Sequence, residues 1–127
     1  SIDLKEARVA YQDRNSSHIQ LFEKVASDPI SARSAVAMTL GPHGSYFMTQ
    51  DHSQRYQVPA FATNPIDALG AGDAFFSITS LLAKLEAPGV LIPFLGNIFA
   101  GLKTKILGNR SSVSRAQFLK AVTAILK

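Results

Sequence analysis

Cysteine is absent from the 127 residues, so disulfides and thiolate metal sites are excluded and a reducing compartment suits the chain. The three histidines, His18, His43 and His52, show no metal-ligand spacing with one another. Acidic residues are missing after Glu86, whereas Lys103, Lys105, Arg110, Arg115, Lys120 and Lys127 put six positive charges into that segment. Such an imbalance suits a phosphate-bearing partner or a solvated basic helical face. These charges lack the run of interleaved aromatic residues that base-stacking platforms require, so no nucleic-acid partner is expected. Long apolar runs are missing as well: the most apolar stretch, Val90 to Leu107, is interrupted by Pro93, Gly96, Asn97, Gly101 and two lysines, and no membrane partner is expected. The start of the chain has no signal-peptide pattern, so the expected location is cytoplasmic and the sequons at Asn15 and Asn109 are read as chance. Internal repeats and low-complexity segments are absent too.

What is present is a chain of one-domain length with 46% hydrophobic residues, enough for a core, and residues 1–127 are read as a single domain. Ile2 to Ala10 reads as a short helix with Asp3 as N-cap, and Ser17 to Ala26 as a second helix stopped by Asp28-Pro29. Ala35 to Leu40 is a continuous apolar run, as expected of a strand buried on both faces, and it asks for parallel neighbours on both sides. Ser45–Thr49 and Arg55–Val58 read as a hairpin around the polar turn Gln50 to Ser53. After a loop from Pro59 to Pro65 come three helices. The first carries Ala74, Phe75, Ile78, Leu81, Leu82 and Leu85 on a face expected to pack on the sheet; the second spans Val90 to Leu107; the third spans Ser114 to Leu126. The fold class is α/β.

The chemistry-bearing stretch is Asp67-Ala68-Leu69-Gly70-Ala71-Gly72-Asp73-Ala74-Phe75, a glycine turn running into a helix. Free amides at such a helix start, aided by the macrodipole, seat anions. A carboxylate in the first turn of that helix, Asp73, suits general-base work on a phosphate acceptor. The same residues also suit a plain tight turn. The dinucleotide fingerprint does not fit, since Phe75 stands where its third glycine belongs, and the Gly-Lys-Ser/Thr of the P-loop is absent.

Asp67-x-x-Gly70-Ala71-Gly72-Asp73-Ala74-Phe75 closely resembles the C-terminal signature of the ribokinase-like, or PfkB, carbohydrate kinases. Thr39-Leu40-Gly41-Pro42-His43-Gly44-Ser45 is similar to the strand-ending Thr-Leu-Gly-x-x-Gly of that family, and Asp3-Leu4-Lys5-Glu6 to its Asn-x-x-Glu. The three occur in the family's order across nearly the whole chain. The departures are Asp3 for Asn, Ala68-Leu69 for the common hydroxyl residues, and Pro42-His43 for an often basic or polar pair.

The resemblance implies a Rossmann-like three-layer αβα ribokinase-type fold, of which this chain is the C-terminal, nucleotide-side portion, without the N-terminal half that supplies the lid and most sugar contacts. It implies that the amides of Gly70, Ala71 and Gly72 form an anion hole and that Asp73 is the catalytic base. Thr39, Gly41, Gly44 and Asn97 are expected to border the nucleotide, Glu6 to act on Mg2+ through water and phosphate, and Asp67, beside a loop at Gly108 to Val113, to hold a monovalent cation such as K+. The implied activity is transfer of the γ-phosphate of ATP to a sugar hydroxyl, with these residues inactive alone. The partners are a nucleotide, a small sugar-like substrate, the missing half of the same protein and a second copy in a homodimer. The alternative is a non-catalytic nucleotide-binding or regulatory module derived from that fold.

Overall fold

The computed structural model describes residues 1–62, 64–108 and 110–127. Strand β1 (Ile2–Asp3) leads directly into α1 (Leu4–Ala10), and α2 (His18–Ser27) follows. Strands β2 (Val36–Thr39), β3 (Ser45–Met48) and β4 (Arg55–Val58) precede α3 (Ala71–Lys84), α4 (Leu91–Lys103) and α5 (Arg115–Ile125). The strands make one sheet in the order β1-β2-β3-β4.

The side-chain period of two divides the sheet between two helical layers. Val36, Met38 and Met48 face Ala7 of α1 and Leu21, Phe22, Val25 and Ala26 of α2. Ala37 and Phe47, one residue out of phase, face Phe75 of α3 and Ile92 of α4. The result is three layers, with β2 covered on both faces as its unbroken apolar run predicts.

Its neighbours differ from expectation. β1 pairs parallel to β2 over two residues, and β3 pairs antiparallel to β2, because the turn from Gly41 to Gly44 sends the chain straight back. Helix α1 also starts later than the periodicity predicts. Asp3 is its N-cap, as expected, but the extended backbone of a cap (φ −89°, ψ 163°) makes Ile2 and Asp3 available for pairing with Met38 and Thr39.

The hairpin forms as expected. Asp51 accepts from the Thr49 hydroxyl at 2.6 Å and the Ser53 hydroxyl at 2.7 Å, which closes the turn. Helix α3 buries Phe75 and Thr79, whereas Leu81 and Leu85, the latter 67% exposed, lie off its packed face. The reason is α4. A Cβ at Gly96 would stand 2.5 Å from Thr79 Cγ2 and 2.8 Å from the Phe75 ring, so the two helices meet at that stripe rather than centring the leucines on the sheet.

Helix α4 ends at Lys103, four residues short of the expected Leu107. There the Thr104 hydroxyl bonds back to the Gly101 carbonyl at 2.8 Å, and the chain tightens into turns through Ile106. Helix α5 keeps its expected start at Ser114, but of its apolar face only Phe118 and Val122 are partly covered, and Phe118 meets Phe99 of α4 edge-on at 5.2 Å. No helix among the described residues is long and apolar enough to cross a membrane.

Candidate functional site

One row of the sheet organises the site. Asp3 pairs with Thr39, Thr39 with Ser45, and Ser45 with Val58, so four chain segments leave or join the sheet along a single edge, which lies at the carboxyl ends of the parallel strands β1 and β2. In open α/β sheets that is where ligands bind. Thr39 ends β2 on this row, and Gly41 (φ 58°) opens the turn beyond it. Gly44 closes the turn with φ 91°, its carbonyl accepting from the Leu40 amide at 2.8 Å. A Cβ at Gly44 would lie 2.0 Å from the Val58 carbonyl oxygen and under 3 Å from backbone atoms of Pro59 and Ala60, so only glycine fits. His43, exposed on this turn, has its ring 5.8 Å from that of His18 at the start of α2.

The segment after β4 is strapped along α4. Buried Asn97 donates its side-chain amide to the carbonyls of Val58 and Pro59, both at 3.0 Å. About two helical turns further on, the Thr104 carbonyl accepts from the amides of Ile66 at 2.8 Å and Asp67 at 2.9 Å. The strap thereby delivers Asp67 to the glycine turn. Asn97, expected to border a nucleotide, has its amide donors directed at the main chain, where they tie the strap to α4.

At the turn itself Gly70 takes φ 75° and ψ 6°, and the helix begins at Ala71. Helices α1, α2 and α5 close their own N-termini with capping boxes, Asp3 with Glu6, Ser17 with Gln20 and Ser114 with Gln117, whereas α4, like α3, has no side-chain cap. Helix α3 has no side-chain cap, so the first-turn amides of Gly72 and Asp73 face outward without intrahelical acceptors. Gly72 and Asp73 are both exposed, and the Asp73 carboxylate makes no hydrogen bond among the described residues.

Asp67 is held tightly. One carboxylate oxygen accepts from the Leu69 amide at 2.9 Å and the other from the Gly108 amide at 2.8 Å, and the Lys103 ammonium donates to the Gly108 carbonyl at 2.6 Å. The Leu69 amide first, then the Gly108 amide and the Lys103 charge, hold the Asp67 carboxyl below its usual range, so it is ionised at neutral pH. Of the loop expected at Gly108 to Val113, Asn109 lies outside the described residues.

Glu6 accepts from the Asp3 amide at 2.9 Å while Asp3 accepts from the Glu6 amide at 2.8 Å. No hydrogen bond joins Glu6 to the glycine turn among the described residues, and no group of three or more His, Asp or Glu side chains there is placed to hold a metal ion. Glu6 is exposed.

A family model described as pfkB family carbohydrate kinase matches residues 5–101, three quarters of the chain. The chain belongs to the pfkB family of carbohydrate kinases. A Pyrococcus horikoshii protein provisionally named a sugar kinase is 34% identical over 87 residues, which are 66% of this chain and 27% of that protein. Among solved structures, phosphofructokinase-2 of Escherichia coli in complex with potassium is 18% identical, with a TM-score of 0.80 over 98% of this chain and 40% of its own. Ribokinase of Arabidopsis thaliana complexed with ribose and ATP is 20% identical, with a TM-score of 0.79 over 96% of this chain and 40% of its own. This pfkB chain thus spans about a quarter of its curated relative and two fifths of these kinases, and it has their fold.

The sequence signature covers the residues of the glycine turn but not the groups that hold them. Thr104 and the carbonyls of Val58 and Pro59 carry no sequence signal, since main-chain acceptors are alike in every residue. Lys103 had one: it is a charged residue at the end of an otherwise apolar helix, and it was counted with the solvated basic face, whereas it is only 8% exposed.

Proposed function

We propose that this chain forms the nucleotide side of an ATP-dependent sugar kinase, in which Asp73 takes the proton of a sugar hydroxyl while the first amides of α3 hold the transferring phosphate. The observation that carries this reading is the exposed, glycine-bounded start of α3, free of a side-chain cap and with Asp73 in its first turn. Outward amides at a helix start stabilise negative charge on the phosphoryl oxygens. As the hydroxyl oxygen bonds to the γ-phosphorus, its proton passes to Asp73 and the bond to the ADP oxygen breaks. The turn from Gly41 to Gly44, just beyond the row that Thr39 shares with Asp3, is taken to border the nucleotide's ribose and phosphates. Mg2+, when bound through the phosphates, offsets their charge, and Glu6 is the residue that would orient its water.

Support for the substrate class comes from family membership and from the ribose and ATP bound by the Arabidopsis relative in fold. Because this chain matches only 40% of those kinases, the 127 residues alone are expected to bind nucleotide without sugar-dependent turnover. The test is Asp73→Asn in the full-length protein carrying this chain. ADP formation in the presence of sugar should drop by about three orders of magnitude or more, the scale expected when a base and its charge are lost, with ATP affinity nearly unchanged. Retention of turnover would remove Asp73 from the chemistry. ATP binding without turnover in the unaltered protein would favour a non-catalytic nucleotide module.

A further inference from the structure

Lys103 is the only lysine or arginine among the described residues that is buried. A buried ammonium is unfavourable unless its donors and charge are both met. Here Lys103 Nζ donates to the Gly108 carbonyl at 2.6 Å, the Gly108 amide donates to Asp67 at 2.8 Å, and the second oxygen of Asp67 accepts from the Leu69 amide at 2.9 Å. One hydrogen-bonded chain therefore runs from the ammonium through Gly108 and Asp67 to the residue before Gly70. Both oxygens of Asp67 and the Gly108 carbonyl are each already engaged by an N–H donor, and a monovalent cation added beside them would stand near a fixed charge of its own sign.

We propose that the Lys103 ammonium takes the place of a monovalent cation beneath the glycine turn, so that this chain neither binds nor needs potassium at Asp67. The proposal rests on the nucleotide-side reading only for the purpose of that charge, which is to hold Asp67 and hence the turn in place. Its geometry stands without nucleotide. The ammonium differs from a bound ion in being covalently tethered, and it cannot be diluted away, so the turn keeps its shape at any potassium concentration.

The test uses the full-length protein carrying this chain, without ATP. At constant ionic strength, exchange of choline chloride for potassium chloride should leave Tm unchanged to within about 1 °C, because a ligand without a site gives no linkage stabilisation. Titration with thallium(I), a spectroscopic substitute for potassium, should give no saturable 205Tl NMR signal. A saturable, potassium-selective rise in Tm, or a saturable thallium site, would overturn the proposal. Lys103→Met should melt lower in choline chloride and recover most of that loss in potassium chloride; a loss that potassium does not restore would overturn it as well. Should that variant not fold, the two titrations of the unaltered protein decide alone. Failure to bind ATP would sink the kinase reading and leave this result standing.

Discussion

At Gly70 the backbone turns through φ 75°, where a side chain is strained, and at Gly44 a Cβ would strike the Val58 carbonyl; both glycines serve the fold. At Gly72 a Cβ would meet nothing within 4 Å, and the backbone is helical. The fold gives no reason for glycine there, and in a helix glycine is less favourable than alanine by up to about 1 kcal/mol. The reason belongs to whatever approaches the turn from outside. Gly72→Ala should therefore keep or slightly raise Tm, while the added methyl shields the amides of the turn and weakens Mg-ATP binding by about tenfold, or about 1.4 kcal/mol. Thermal melting and calorimetric titration of the same variant check both halves. Unchanged affinity would show that no phosphate sits on this turn.

Among the elements, α4 does most to place the site, because the strap from Val58 to Asp67 is tied to it at Asn97 and at Thr104. Removing the Asn97 amide takes a donor from each of two backbone carbonyls, those of Val58 and Pro59. With about 1–3 kcal/mol for unsatisfied buried polar groups, Asn97→Ala should lower Tm by several degrees and speed amide exchange in the strap ahead of exchange in β2 and β3. Equal exchange rates in strap and strands would show that the amide does not hold the strap. The sequence exposed this layer unevenly. Periodicity found α2 and α5 and the β3–β4 hairpin, and Asp3 was legible as the cap of α1, because those signals are local. The antiparallel pairing of β2 with β3, the end of α4 at Lys103 and the packed stripe of α3 were missed, because each is decided by a partner distant in sequence: a returning strand, the Ile66 and Asp67 amides, and Gly96. The site divides in the same way. The glycine turn and Asp73 were legible as a motif, whereas the main-chain partners of Asn97 and the burial of Lys103 were not, because both depend on segments distant in sequence.

For the whole molecule, ionised carboxylates act as fasteners spread over both layers and the hairpin. Asp13 pairs with the Lys24 ammonium and accepts from Ser16, joining the loop after α1 to α2, and Asp28 accepts from the Ile30 amide and, at 2.8 Å, from the Tyr11 hydroxyl. Asp51 closes the hairpin, and Asp67 ties the glycine turn to the end of α4. These bonds hold all four carboxyls below the ordinary 3.8, Asp51 at about 2 through the Thr49 and Ser53 hydroxyls, and Asp13 further down through Lys24. A carboxyl depressed in the folded state is protonated first in the unfolded chain. The unfolded chain therefore binds more protons as pH falls below about 5, and stability must fall with pH across that range. Thermal melts should show Tm level from pH 7 to about 5, then declining continuously toward pH 2, the Asp51 share being lost between its ordinary value of 3.8 and about 2. Asp13→Asn, which keeps an acceptor but loses the charge facing Lys24, should melt lower at pH 7 and decline less steeply in acid, since one of the four linked protons is gone. A Tm that holds or rises on acidification, or an Asp13→Asn slope as steep as that of the unaltered chain, would mean that these bonds do not distinguish the folded from the unfolded state.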